Sequence, residues 1–370
     1  MRKLFAQLRQ LREDAGLSYA EAEELLVVGP GWVRRLEAGE IEPSLNTLAA
    51  VVSAYGSDLP TLFEGFELGD DNITIDRHLS AVEVGSNLHL TFPMGAHRAE
   101  VVFEDASVED LNDVVRALRD ELAVGRKREA VVACFLEAVR RWPHINPSDI
   151  WYFLVSHAYQ DNFNHPASQD GRDWGQSWRR AGGWGLEAVL LQHYNPYLRT
   201  IGMHLEMPEP DRKRDLLSQM GVVDVAGSDK ADVIAVGHLR NRHEAFGVIH
   251  VKASFAERRT DDVPLSQQLI ARGYASPLVT MDCKATPSPN PLNRGELGPA
   301  QGGDERVSAK RLDIERDRKF DACFSYNTNT ISTPEGQRAS ARIHVCDFSD
   351  PDDVFSAYLL RKWRDRQGLT

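Results

Sequence analysis

The chain has 370 residues, of which 42% are hydrophobic and 26% charged, and a formal net charge of −12. That length exceeds one ordinary core, so two or three domains are expected, with the composition of a soluble globular protein. No run of about eighteen apolar residues is present, so no membrane span is predicted. The acidic balance argues against a nucleic-acid coat protein but not against a DNA enzyme, in which only a groove needs to be positive.

Residues 1–68 read as five short helices. The opening stretch MRKLFAQLRQLRED is charged and helical rather than a leader. Its amphipathic pattern stops at Gly16, and the next helix starts at Ser18 with Glu21 three residues on, a capping box. A break at Gly29-Pro30-Gly31 leads into WVRRLEAGE; a fourth helix runs from Pro43 and Ser44 to Gly56, and LPTLF closes the set. This spacing resembles the helix-turn-helix domain of the phage-repressor (Cro/C1, XRE-like) family. The matching residues are Leu11-Arg12, Gly16-Leu17-Ser18, Leu36-Glu37-Ala38-Gly39 and Pro43-Ser44-Leu45. The resemblance implies DNA contact through Trp32, Arg34 and Arg35. It departs where base-reading polar side chains normally stand, because those positions hold Gly29, Pro30, Gly31 and Trp32. Six Lys/Arg against eleven Asp/Glu over residues 1–68 predict weak phosphate attraction. The plainer reading is a helical domain kept for dimerisation or docking.

Residues 69–125 read as a small α/β connector: NLHLTFP and HRAEVVFED alternate as strands, and a helix follows Ser107 as N-cap. No chemistry is evident there. Beyond residue 126 come the helices REAVVACFLEAVRRW, SDIWYFLVSHAYQ and a long one ending in HYNPYL. Next are the strand-like TIGMHLEM, the strands DVIAVG and GVIHVKAS, the helix VPLSQQLIARGY and the strand PLVTMDCKA. The segment 285–304 is rich in Pro, Gly and Asn and reads as a surface loop. A charged helix over DERVSAKRLDIERDRKF, two further strands and a last helix complete the chain. Cys134, Cys283, Cys323 and Cys346 form no CxxC pair, which argues against zinc and disulfides and fits a reducing cytoplasm.

The chemistry-bearing pattern lies between residues 187 and 284. Asp232 stands at the mouth of one apolar strand and Lys252 at the end of the next. A hard Mg²⁺ ion takes carboxylate oxygens and keeps several waters; it polarises a phosphate and acidifies a bound water. A lysine beside it orients that water and offsets phosphate charge. Asp232 is therefore read as a metal ligand and Lys252 as the catalytic lysine. The helix–strand–strand–strand–helix–strand order over 176–284 resembles the core of the PD-(D/E)XK nucleases. Their motif has an acid two residues before the lysine, and here that position is His250. Glu187, Glu257, Asp261 and Asp262 are the candidates to replace it, with Glu187 favoured as an assisting catalytic acid and Asp262 next, as a metal ligand. Asp282-Cys283-Lys284 is an alternative motif on the following strand. One imidazole in a Mg²⁺ shell is unusual, so His250 is expected to pack or orient. Trp174, Trp178 and Trp184 are read as packing residues, His165 as a loop residue, and Lys310, Arg311, Arg316, Arg318 and Lys319 as a solvated helix face.

The blocks QSWRRAGGWGLE, HYNPYL, ADVIAVG, HVKASFAERRTDD and FDACFSYNTNT resemble the type II restriction endonucleases of the CCGG-cutting group, in its BsaWI-like branch. The resemblance covers roughly 126–350. It implies that the stretch after the lysine, Arg258, Arg259, Asp261 and Asp262, reads the CCGG core. Arginine forks pair with guanine O6/N7, and aspartate accepts from cytosine N4. The plainer reading of those four is a charged helix start. The fold expected is multidomain: an all-α helix-turn-helix domain (1–68), a small α/β connector (69–125) and an α/β PD-(D/E)XK nuclease core with added helices (126–370). The function expected is a Mg²⁺-dependent, sequence-specific endonuclease acting on double-stranded DNA. A palindromic target calls for a homodimer, with no membrane partner. The rival is a helix-turn-helix transcriptional regulator with a non-catalytic C-terminal domain.

Overall fold

Five helices fill the first seventy residues: α1 (Arg2–Asp14), α2 (Tyr19–Leu25), α3 (Trp32–Glu37), α4 (Leu45–Ala54) and α5 (Leu59–Leu62). The structure is a computed structural model. It describes residues 2–41, 43, 45–63, 72–76, 79–94, 97–160, 174–239, 242–254, 261–283, 293, 295–298 and 307–368. The chain divides into two units, 1–70 and 71–370. In the first, the Ser18 hydroxyl accepts from the Glu21 amide, and the Glu21 carboxylate accepts from the Ser18 amide at 2.8 Å, the reciprocal cap read from the sequence. Gly31 sits at φ +81° as N-cap of α3, a left-handed conformation that suits glycine and explains the turn chemistry there. Leu8, Val33, Leu36, Val51 and Leu62 form the core. The buried Arg12 guanidinium grips Glu37 through two bonds of 2.7 and 3.1 Å, joining α1 to α3. Trp32 is half-buried and packs on this core, whereas Arg34 and Arg35 are exposed.

The second unit opens with an antiparallel meander of β1 (Asn72–Asp76), β2 (Leu79–Val84), β3 (Asn87–Met94) and β4 (His97–Phe103). The helices α6 (Val108–Ala123), α7 (Lys127–Arg141), α8 (Pro147–Gln160) and α9 (Trp174–Thr200) follow. Leu90 and Phe103 of the meander share one apolar core with Phe135, Phe153, Leu186 and Phe246. The segment read as a connector is therefore packed into the body that follows it.

The central sheet comes next in the chain. β5 (Met203–Glu206) and α10 (Pro210–Gln219) precede β6 (Val233–Leu239) and β7 (Arg242–Lys252). Then come α11 (Val263–Ala271), β8 (Leu278–Thr280), α12 (Ala309–Glu315), β9 (Cys323–Ser325), β10 (Ile343–Val345) and α13 (Val354–Gln367). The strand order is β10-β9-β8-β7-β6-β5. Pairing is antiparallel from β5 to β7 and parallel from β7 to β10. β7 and β8 are joined through α11, the crossover that a parallel pair requires. Along β6 the side chains alternate between two cores. Val233 and Ala235 join the large one with α7–α9 and α13, and Ile234 and Val236 join a smaller one with Leu216 of α10 and Leu265 of α11. Burial on both faces is why β6 and β7 read as near-continuous apolar runs. Gly237 is required by close approach: a Cβ there would fall 2.3 Å from the Trp363 ring of α13. On the outer side of β5, the Asn195 side chain of α9 donates to the Leu205 carbonyl at 2.9 Å and accepts from its amide at 2.7 Å.

α12 differs from expectation. It is short, and Arg311 within the charged stretch is fully buried rather than on a solvated face. It donates to Glu315 at 2.7 Å and to the carbonyls of Leu297, Gly298 and Ile331. Enough carbonyls close around one guanidinium to replace its water.

Candidate active site

Lys252 ends β7 where the strand leaves the core, and its side chain is only 27% exposed. Its ammonium lies 2.9 Å from Oδ2 of Asp262, a carboxylate 3% exposed. Asp262 is the N-cap of α11, yet its side chain caps nothing: it is turned from the helix amides toward the lysine. Its other oxygen, Oδ1, is buried without a hydrogen-bond partner among the described residues. A buried carboxylate oxygen left open costs about 1–3 kcal/mol or more, so Asp262 keeps bonding capacity beside Lys252.

Asp232 immediately precedes β6. The register Val233↔Ile249 sets it at the same end of the sheet as His250 and Lys252. Its side chain is half-exposed, and Lys213 of α10 lies 3.3 Å from Oδ1. Asp232, Lys213, Glu187, Trp184 and Met207 line a cleft of about 520 Å³. Glu187, on α9, is pushed up to about 8, first by burial and then by the negative charge of Asp232; Lys252, Lys213 and Arg128 pull the other way. Asp232 and Lys252 thus both act electrostatically on one buried glutamate. The structure brings Asp232, Lys252, Glu187 and Asp262 to one end of the sheet.

His250, in the place of the motif acid, is 3% exposed, edge-on to Phe320, and bonded through Nε2 to the Ser276 hydroxyl at 2.9 Å. Burial pushes the imidazole down to about 4. At neutral pH it is uncharged, and Lys252 is the cation that faces Asp262. Asp282 of the alternative motif is fully buried. It accepts from the Glu296 amide at 2.6 Å, the Leu297 amide at 3.2 Å and the Thr330 hydroxyl at 2.7 Å. That carboxylate is occupied with holding a loop. Asp261 pairs with Lys230 at 2.6 Å. Arg258 and Arg259, with Glu257, lie outside the described residues, as do Lys284 and His165. Trp184 packs on the large core and carries the Arg128 guanidinium 5.2 Å over its ring.

Three participants escaped sequence reading: Lys213, Lys230 and the Ser266–Ser276 hydroxyl pair behind His250, bonded at 2.8 Å. The one signal was PEPDRKRDLL, a proline-started helix carrying basic residues, which becomes α10. Asp232 and Glu187, which line one cleft with Lys213, are oxygen donors of the kind a hard divalent cation takes, and Asp262, engaged with Lys252, keeps one buried oxygen unpartnered among the described residues.

Comparison with known proteins supplies the context. The helix-turn-helix domain family matches residues 4–63. The type II restriction enzyme AgeI of Thalassovita gelatinovora is 37% identical over 243 residues, covering 64% of this chain and 84% of AgeI. The HTH-type transcriptional regulator DdrOP3 of Deinococcus deserti is 35% identical over 69 residues, 19% of this chain and 54% of the regulator. Among solved structures, a specific AgeI–DNA complex matches with a TM-score of 0.63 and 32% identity, covering 74% of this chain and 99% of AgeI. A pre-specific BsaWI–DNA complex matches at a TM-score of 0.36 and 16% identity, covering 70% of this chain and 92% of that one.

Proposed function

The chain belongs to the family of the type II restriction enzyme AgeI and is a site-specific deoxyribonuclease; on that premise we propose that phosphodiester hydrolysis takes place where Asp232, Glu187, Lys252 and Asp262 meet. The observation that carries this reading is the buried Asp262–Lys252 pair with its second carboxylate oxygen open. A divalent metal accompanies this family, and we take Mg²⁺ as the ion, held by Asp232 and Asp262. When bound it supplies Lewis acidity toward the scissile phosphate and lowers the pKa of a bound water.

The chain's own residues do the rest. Asp262, fixed at the start of α11 and buried, holds Lys252 in place at a strand end. Lys252 directs its ammonium at the attacking water and offsets the charge gathering on the phosphate. Glu187, raised to about 8 by burial and by the charge of Asp232, holds a proton at neutral pH and, when ionised, would accept a hydrogen bond from water in the cleft. Lys213 limits the mutual repulsion of Asp232 and Glu187.

The substrate is double-stranded DNA with a CCGG-core palindrome, read by Arg258, Arg259, Asp261 and Asp262. Of these, Asp262 serves the metal first. A palindrome cut in both strands calls for a two-fold homodimer, working in the cytoplasm, where the four free, buried cysteines stay reduced. The helix-turn-helix unit, with Arg34 and Arg35 exposed and Trp32 packed inward, adds weak contacts to DNA outside the core site.

The deciding experiment incubates purified protein with unmethylated phage DNA, with Mg²⁺ or EDTA, beside Lys252→Ala. Discrete Mg²⁺-dependent fragments lost in the variant establish the assignment, and their ends give the site. Cleavage that survives Lys252→Ala would remove the catalytic role of that lysine.

A further inference from the structure

At the opposite end of the same strands stands a second cluster. His238 of β6 and His243 of β7 are direct cross-strand partners, and His204 of β5 pairs with Val236, one same-face step from His238. All three imidazoles therefore share the face that carries Ile234, Val236 and Ala245 into the smaller core. His238 is six residues along β6 from Asp232, about 20 Å away at strand rise. The cluster is thus separate from the catalytic cleft.

We propose that His204, His238 and His243 form a binding site for a transition-metal dication of the zinc, nickel or copper type. One nitrogen from each ring lies within 4.8 Å of the others. Four-coordinate zinc spaces its ligand nitrogens by about 3.4 Å. Only small rotations of the two exposed rings, His238 and His243, are needed to close around an ion. Nδ1 of His204 and Nε2 of His238 are already 2.8 Å apart, bridged by one proton that an ion would replace.

The surroundings support a ligand role. Nε2 of His204 faces Glu206 Oε2 at 3.4 Å, and Glu206 is itself held by Arg212 through Oε1 at 3.2 Å. A carboxylate on the far nitrogen selects the tautomer whose near nitrogen carries the lone pair, the arrangement that orients metal-binding histidines. The site borders an open groove of about 910 Å³ lined by Arg212, Gln219 and Glu244, so solvent can supply the remaining ligand. The donor sets separate the two centres chemically. Imidazole selects zinc, nickel and copper, whereas the carboxylates of the cleft select magnesium.

The test uses untagged full-length protein stripped with EDTA and titrated with Zn²⁺ by calorimetry and with Co²⁺ by visible absorption. The expected result is one bound equivalent with the strong d–d bands of low-coordinate cobalt. It is lost in His238→Ala/His243→Ala and retained in Asp232→Ala. Zn²⁺ should raise the melting temperature of the parent by several degrees and leave the double variant unmoved. Glu206→Gln should weaken Zn²⁺ binding by about tenfold or more. Mg²⁺-dependent DNA cleavage by the histidine variant should match the parent. Binding that persists in the histidine variant, disappears with Asp232→Ala, or is absent from the parent would overturn the proposal. If the double variant fails to fold, His243→Gln, at an exposed position, carries the same readout.

Discussion

Two regions of the second unit bury an ion pair, and they treat it in opposite ways. Around α12, Arg311 and Glu315 are both fully enclosed, and Glu315 also accepts from Thr333 at 2.7 Å and Gln337 at 3.3 Å. Three backbone carbonyls take three of the four remaining guanidinium hydrogens. At the end of β7, Asp262 is nearly as enclosed while Lys252 is 27% exposed, and one carboxylate oxygen has no partner among the described residues. A saturated pair is structural. An unsaturated pair is held together by the rest of the fold and keeps bonding capacity for something that arrives later.

The widest test of this contrast is catalytic. Lys252→Ala should lower the DNA cleavage rate on the order of 10³-fold or more while DNA binding in a gel-shift assay persists. A loss confined to binding would make the lysine a phosphate contact only. Next comes stability. Arg311→Ala should cost about 3–5 kcal/mol in urea unfolding, because it leaves Glu315 buried and uncompensated. A cost below about 1 kcal/mol would show that water reaches the site.

Asp282 offers a smaller, pH-dependent effect. Burial raises its carboxyl from the ordinary 3.8 to about 6, ahead of the opposing hydrogen bonds. Since the folded pKa lies above the unfolded one, the unfolded chain loses its proton first as pH rises. The penalty grows between about pH 4 and 6 and is constant above. Relative to Asp282→Asn, the parent should lose roughly 1–3 kcal/mol over that window; parallel stability–pH curves would refute this. Smallest of all, Asp262→Asn should shift stability in EDTA by about 1 kcal/mol or less, because loss of the Lys252 ion pair offsets relief of the unpartnered carboxylate oxygen, while abolishing cleavage. A drop as large as that of Arg311→Ala would put both pairs in one class.

The strands carrying Asp232 and Lys252 were legible because a β-branched run ending in a charge fits the rim of a buried sheet and little else. The caps at Ser18 and Ser107 were legible for similarly local reasons. The partner of Lys252 was only one of several nearby acids, because its choice depends on how the segment after β7 returns to open α11, and no local pattern encodes that. Arg311 read as solvent-facing because its compensation comes from residues 297, 298 and 331, brought together only by tertiary structure. The histidine cluster was hidden for a related reason. Its members are scattered over about forty positions and meet only through the register of three strands.

The Asn195 clamp on Leu205 carries a consequence beyond joining α9 to β5. An edge strand with free outward amides and carbonyls is a template for any extended polypeptide, including a newly synthesised copy of itself. By spending one side-chain amide on both outward groups of Leu205, the chain blocks strand-by-strand polymerisation at this margin. An edge closed in this way offers no seed for fibrils at that residue.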